Sequence, residues 1–372
     1  MPWMLRVKLG TDLSLAPPER TVHLIRPLRP DPPKATPSGE AVWPGWAGTA
    51  EWFEATALED CDVAVLPFPW EDALADETLR RAAGTFCARA ESLGRSVFVF
   101  YHDDPTISLP FPNAVLFAHA LHASRRAANE FALPGWIPWP PHRVDVRPYA
   151  ERPVVGFAGK AWPFGFDRGS AASRLSVRMR YLAGSLLVRS GMNDRLGAPV
   201  TFYERATAVR QLEKDPRIET RVLLRDARPV ADPDAYRREY FDSIEQTDYT
   251  LAVRGMGNFS YRLYEALAYG RIPLFVNSDC VLPLASEIDW RSLCVWIEGG
   301  RVRTIADQLV AAHRAMKPEE FEERQRRCQD VWMTKLTEPG FFSRLHERLG
   351  AGLADGGFAG PEGRNRLLRC LA

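Results

Sequence analysis

Short apolar runs alternate with segments of helical spacing along most of this chain. Leu5 to Leu9 and Thr21 to Ile25 read as strands, and Val63 to Pro67 as a third. Glu71 to Leu93 carries helical spacing and leads through Gly94 into the β-prone Val97 to Tyr101. Strand, helix and strand in that order require parallel pairing and a right-handed crossover. Ala114 to Phe117 extends this sheet, and Ser124 to Phe131 reads as a helix. The pattern restarts with a strand at Val154 to Ala158, a helix over Ser170 to Ser190, a strand at Ile218 to Leu224 and a helix over Tyr236 to Gln246. Thr250 to Val253 is the next strand. Phe259 to Tyr269, with Leu263, Ala266 and Leu267 on one helical face, stops at Gly270 and gives way to the strand Ile272 to Val276. Leu293 to Ile297 is one more strand. Thr304 to Asp307 looks like a capping box for a helix to about Ala315, and Pro318 opens another helix. The tail after Leu349 is glycine-rich and is expected to fray.

Two proline-rich stretches interrupt the pattern. Arg29 to Gly45 is the densest proline cluster in the chain and reads as a long loop. GWIPWPPHRVDVRPYAERP keeps no helical period and reads as an interdomain connection with a boundary near Tyr149. Its Trp136 and Trp139 suit a domain interface or a stacking surface for a sugar ring. The expected organisation is an α/β domain over residues 1–149, a second over 150–349 with C-terminal helices, and a flexible tail over 350–372.

The chemistry concentrates between Thr250 and Val276. The loop Gly255-Met256-Gly257-Asn258 lies at the carboxyl end of one strand and the amino end of the next helix, where free N–H groups and the helix dipole attract anions such as phosphate. Arg254 precedes it, Asn258 and Ser260 stand at the helix start, and Arg262 and Glu265 follow. Two arginines and a hydroxyl can hold a diphosphate, and a carboxylate one turn on can accept ribose hydroxyls. Equally, Arg262 and Glu265 can be an ordinary i,i+3 surface pair. Lys160, after Gly159 at the end of the Val154 strand, is a further phosphate candidate or a solvated loop lysine. In the first half, His102-Asp103-Asp104-Pro105 follows a strand at the edge where ligands gather in open α/β sheets, and a His or Asp there can take a proton from a sugar hydroxyl. Asp-Asp-Pro is also plain turn chemistry. Arg174 and Arg178, one turn apart, read as a surface stripe and stay outside the site.

The string from Gly255 to Trp290, with SYRLYEALAYGRIPLFVNSD followed by VLPLASEIDW, resembles the exostosin family of glycosyltransferases. A serine, an arginine, an acidic helix residue, a Gly-x-Ile-Pro turn, a Leu-Pro and an Asp beside an aromatic recur in that order. The resemblance implies the GT-B architecture, two Rossmann-like domains facing across a cleft, where periodicity alone gives only two α/β domains. It further implies an inverting enzyme that uses a UDP-sugar donor against the second domain and a saccharide or glycoconjugate acceptor against the first, with no other cofactor. On this reading His102 and Asp103 are catalytic, and Lys160, Arg254, Asn258, Ser260, Arg262 and Glu265 bind the nucleotide. The alternative class is a non-enzymatic two-domain binder of sugars or nucleotides. Metal dependence is expected to be absent: Asp60-Cys61-Asp62 and Asp232-Pro233-Asp234 match the Asp-x-Asp pattern of another glycosyltransferase architecture, but neither follows an apolar strand as such a site needs.

Composition narrows the classes further. The 372 residues exceed the usual single-domain size, and 46% of them are apolar, enough for two cores. With 48 basic and 47 acidic residues the net charge is +1, which carries no footprint for nucleic acid or an anionic membrane. The first twenty residues hold no signal-peptide core and no stretch has the apolar length of a membrane span. A cytoplasmic protein is therefore expected. Animal and plant exostosins are usually membrane-anchored, so the chain looks like a bacterial-type member. Six cysteines without CxxC spacing read as reduced, mostly core residues.

Overall fold

The computed structural model describes residues 6–30, 50–104, 106–137, 145–161, 179, 198–224 and 232–372. The expected loop core (31–45), Trp139, and most of the Ser170 to Ser190 helix with Arg174 and Arg178 lie outside them.

The first unit is a six-stranded parallel sheet: β1 (Val7–Gly10), β2 (Phe53–Thr56), β3 (Val63–Val65), β4 (Val97–Tyr101), β5 (Ala114–Ala118) and β6 (Glu130–Ala132), in the order β2-β1-β3-β4-β5-β6. Helices α1 (Trp70–Ala75) and α2 (Glu77–Ser92) lie between β3 and β4. The second unit is a five-stranded parallel sheet: β7 (Val154–Gly159), β8 (Glu219–Leu224), β9 (Tyr249–Ala252), β10 (Ile272–Asn277) and β11 (Val295–Glu298), in the order β11-β10-β9-β7-β8. Among the described residues its helices are α3 (Ala198–Lys214), α4 (Pro233–Glu245), α5 (Tyr261–Ala268) and α6 (Trp290–Leu293). After it come α7 (Ile305–Ala315), α8 (Pro318–Val331), α9 (Glu338–Ala354) and α10 (Gly360–Leu371).

Both sheets begin in the middle, step outward once, then reverse. The first strand lies between the second and the third, which creates a topological switch point where the carboxyl ends of β7 and β9 part. Two parallel α/β units of this kind are the fold the resemblance implies. They meet at their carboxyl edges: a Cβ built on Gly257, beyond β9, would stand 2.5 Å from Asp104 Oδ1, beyond β4. An antiparallel bridge joins His122 to Cys280, and Ser124 Oγ donates to Asp279 Oδ2 at 2.6 Å.

Period-two alternation explains how each sheet is covered. Phe98 and Phe100 enter one core, while Val97, Val99 and Tyr101 enter the core beneath α1 and α2. The Phe98 face is closed from far along the chain, by Phe341, Phe342 and Leu345 of α9 and by Leu367 and Leu371 of α10. The expected flexible tail is thus corrected. Gly356, Gly357 and Gly360, with φ of 116°, 75° and 69°, make the turn that folds α10 back, and a Cβ on Gly352 would meet Phe358 Cε1 at 2.5 Å. The C-terminal helices belong in part to the first unit's core.

Four further expectations change. Thr21 to Ile25 is a turn, with Ile25 N donating to Val22 O at 3.0 Å; its apolar side chains fill the core without pairing as a strand. Ser124 to Phe131 is not a helix, because residues 123–128 are exposed and offer no apolar face to bury. The single helix over Glu71 to Leu93 is broken at Asp76, whose carboxylate caps α2 by accepting from Thr78 N at 2.8 Å. The capping box does not form: Thr304 makes no side-chain cap bond, and its hydroxyl donates to Arg301 O. The connection is anchored on the second unit, where Arg147 Nε meets Asp248 Oδ1 at 2.7 Å and Tyr149 stacks on His313 at 4.5 Å. Trp136 packs against Phe342 and His23 at 5.6 and 4.6 Å. Among the described residues no helix is long and apolar enough to cross a membrane.

Candidate active site

The switch point of the second sheet gathers most of the expected residues. Helix α5 starts at Tyr261 with Ser260 as its cap, because Ser260 keeps an extended backbone (φ −146°, ψ 114°). Its hydroxyl caps nothing. Ser260 is 9% exposed, and its Oγ is buried with no hydrogen-bond partner. Arg254 is 5% exposed; its Nη2 donates to Met256 O at 3.2 Å and its Nε finds no acceptor. Buried donors without acceptors cost about 1–3 kcal/mol each, so two at one helix start mark a place shaped for something else.

Arg262 and Glu265 do not pair with each other. Arg262 donates through Nε and Nη2 to Ala158 O at 2.8 and 2.5 Å, lies 4.8 Å above the Phe157 ring, and packs against Gly159, whose φ of 141° and lack of Cβ admit the guanidinium. Glu265 is half-buried and accepts from Tyr240 Oη at 2.5 Å. Burial raises its pKa, while the nearby Arg262 opposes the shift. Lys160 is exposed at the end of β7, its carbonyl accepting from Arg205 Nη1 at 2.7 Å.

One expected ligand contact is corrected. Asn258 donates to Leu121 O and Asp279 O at 3.0 and 2.9 Å, and its Oδ1 accepts from Ser278 Oγ at 2.8 Å and Cys280 Sγ at 3.3 Å. That exhausts the amide, so Asn258 fastens the loop to the first unit and is not free to hold a nucleotide.

Across the seam, the strand-end segment after β4 divides into a fixed histidine and two exposed carboxylates. His102 Nδ1 lies 2.8 Å from Glu71 Oε1, and its backbone N donates to Glu71 Oε2 at 3.3 Å. The other ring nitrogen, Nε2, is shut off from solvent with no partner, so the ring does not present a base to the cleft. Asp103 is an exposed carboxyl with a pKa raised first by desolvation and then by Glu71 and Asp104. His119, beyond β5, stacks on Phe259 at 4.5 Å, and burial lowers its pKa to about 3.

Four residues that matter here are missing from the sequence reading. Arg205 is 5% exposed and donates to the carbonyls of Lys160, Val253 and Arg254, holding the ends of β7 and β9; burial, then Arg262, brings its pKa to about 9. Glu204, its neighbour, is half-buried near Arg254. Tyr240 and Glu71 orient Glu265 and His102. Nothing local marks them, since each lies on a helix remote in sequence from the group it serves. The Asp-x-Asp triplets serve the backbone: Asp62 accepts from Lys8 N at 2.8 Å and Asp232 from Ala235 N at 2.9 Å. Among the described residues no cluster of His, Cys, Asp or Glu could hold a metal ion.

Comparison with known proteins bears on this geometry. No family model matches the chain. A stretch of 115 residues, 31% of this chain, is 26% identical to the exostosin-1 homolog of Caenorhabditis elegans and spans 30% of it. Another alignment of 110 residues is 28% identical to exostosin-1 of Drosophila melanogaster, covering 29% of this chain and 14% of that one. Over 59 residues the chain is 34% identical to a protein of Oryza sativa subsp. japonica named "Probable glucuronosyltransferase", 16% of this chain and 14% of that. Its curated relatives are exostosin-family glycosyltransferases. The matched stretch spans less than a third of the length of each of these exostosins. Among solved structures, S. aureus TarM with fondaparinux, alpha-GlcNAc-glycerol and UDP overlays with a TM-score of 0.35 at 8% identity, covering 76% of this chain and 54% of that chain. The GtfA/B complex bound to UDP and GlcNAc overlays at 0.28 and 10% identity, covering 78% and 57%. At such scores the fold rests on the strand order above.

Proposed function

We propose that the chain is a glycosyltransferase that moves a sugar from a UDP-sugar to a hydroxyl of a saccharide or other acceptor, with inversion and without a metal ion. The exostosin relatives support the reaction class. The observation that carries the site is the buried, partnerless Ser260 hydroxyl at the start of α5, in a strand–helix junction that also carries Arg254 and Arg262 and whose Gly257 packs against Asp104 of the first unit.

In this reading the diphosphate lies on the α5 N-terminus and accepts from Ser260 Oγ and Arg254, with Arg262 and Lys160 supplying further positive charge. Glu265, oriented by Tyr240, accepts the ribose hydroxyls. Asp103 takes the proton of the acceptor hydroxyl, whose oxygen attacks the anomeric carbon from the face opposite the diphosphate. The anomeric C–O bond breaks as the glycosidic bond forms, and its electron pair leaves with the diphosphate, where the arginines and the helix end stabilise the charge. Burial and two carboxylate neighbours make Asp103 a stronger base than an ordinary aspartate. Glu71 and His102 shape the loop that carries it. All six cysteines are free thiols, which fits the cytoplasmic location we attach to this proposal.

Calorimetric titration with UDP tests the site, and release of UDP from UDP-sugars, with and without saccharide acceptors, tests the reaction. Arg254→Ala should weaken UDP by about 1.5–3 kcal/mol. Glu265→Gln should weaken UDP but not pyrophosphate. Unchanged UDP affinity in both variants would remove the site assignment; binding without transfer or slow hydrolysis across donors would leave a sugar-nucleotide binder.

A further inference from the structure

We propose that Glu204 accepts hydroxyls of the sugar carried by the donor; this rests on the glycosyltransferase reading. Glu204 reaches the carboxyl ends of β10 and β11 from α3: a Cβ built on Gly299 would stand 3.0 Å from both Glu204 Oε1 and Asn277 O. It is half-buried, burial raises its pKa, and Arg254 is the nearby charge that opposes the shift. Yet among the described residues the two form no ion pair, Glu204 feels Arg254 only through space with no hydrogen bond to its carboxylate, and Arg254 Nε has no acceptor. Opposite charges left unjoined in a partly buried place are costly, and nothing in the fold's own hydrogen bonding explains their separation. A ligand with an anionic group for Arg254 and hydroxyls for Glu204 joins them.

The arrangement also says which ring Glu204 meets. Helices α3 and α5 cover opposite faces of the second sheet, α3 through Ala208, Val209 and Leu212, and α5 through Leu263 and Leu267. Glu265 follows Arg262 by one turn on α5, while on α3 Glu204 adjoins Arg205, whose guanidinium donates to Arg254 O. A nucleoside diphosphate sugar has the same order: hydroxyl-bearing ring, diphosphate, hydroxyl-bearing ring. With Glu265 at the ribose, Glu204 falls to the transferred sugar.

The test titrates wild type and Glu204→Gln with UDP and with UDP-glucose, UDP-galactose, UDP-xylose and UDP-N-acetylglucosamine. The expected result is a UDP dissociation constant within about twofold of wild type, and a loss of at least about tenfold for the sugar nucleotide that wild type binds best. Parallel weakening of UDP and UDP-sugar places Glu204 at the nucleoside and overturns the inference, as do unchanged values for both and a wild type that binds UDP but none of the four sugars. A wild type that binds neither UDP nor any donor refutes the donor site as a whole. Ligand-free Glu204→Gln should melt at the wild-type temperature or above, since the carboxylate has no hydrogen bond to lose. A fall of several degrees makes the residue structural and also overturns the proposal.

Discussion

Replacing Ser260 by alanine separates ligand binding from folding. A serine at a helix start ordinarily stabilises it, and its loss costs about 1 kcal/mol because a backbone N–H loses its acceptor. Here no such bond exists, and the Oγ is buried without a partner. Removing a buried hydroxyl that donates to nothing relieves a desolvation cost of about 1–3 kcal/mol, offset by the small loss of packing around one oxygen. The free protein should therefore be as stable as wild type or more stable by up to about 1 kcal/mol. Binding of UDP should move the other way. A hydrogen bond to a charged phosphate contributes about 1.5–3 kcal/mol, which corresponds to roughly 10- to 150-fold in dissociation constant. Urea unfolding of the ligand-free protein reads the first quantity and calorimetric titration with UDP the second. A variant destabilised by about 1 kcal/mol with unchanged UDP affinity would show that Ser260 is an ordinary cap and that the anion site is misplaced.

Asp103→Asn should lower kcat by about 10²- to 10⁴-fold while leaving UDP affinity unchanged. The acid limb of the rate profile, where wild-type activity falls as the raised Asp103 carboxyl takes its proton, should vanish with it. Leu367→Ala should cost about 2–5 kcal/mol of stability, because Leu367 is fully buried in the first unit's core; a loose tail would give less than about 0.5. Between pH 6.5 and about 3 the unfolded chain binds a proton that buried His119 refuses, so stability rises with pH across that window, by at most about 1.4 kcal/mol per unit for this residue. Denaturation at pH 7.5, 6.5 and 5.5 should show a shallower slope for His119→Gln than for wild type; equal slopes would mean that the ring is charged in the fold.

What the sequence disclosed of the site was local. Glycines, a serine at the helix start and helical spacing within twenty residues place Arg254, Ser260, Arg262 and Glu265 at one strand–helix junction, because that geometry is set by neighbours in the chain. The partners that arrive from elsewhere were illegible. Arg205 and Glu204 are consecutive charges on a helix, and only the packing of α3 reveals that both turn inward. His102 was placed at the right strand end, but its ring orientation depends on Glu71, thirty-one residues earlier. Asn258 misleads for the same reason, since its five hydrogen-bonding partners, Leu121, His122, Ser278, Asp279 and Cys280, come from two loops that meet only in the folded chain. The C-terminal glycines suggest freedom by composition, whereas the fold uses them for a turn and for contact with Phe358.

The return of α9 and α10 to the first sheet bears on how the molecule is made. Strand β6 ends at Ala132, and Val22, Leu24 and Ile25 already pack into the Phe98 core, but the helices that close that face begin only at Phe341. During synthesis at about 5–20 residues per second, roughly 10–40 s separate the two, and through that interval the first unit exposes an apolar surface. Nascent chains should therefore bind a chaperone at that surface until Leu371 leaves the ribosome, and a polypeptide truncated before Phe341 should aggregate even though every strand of both sheets is present.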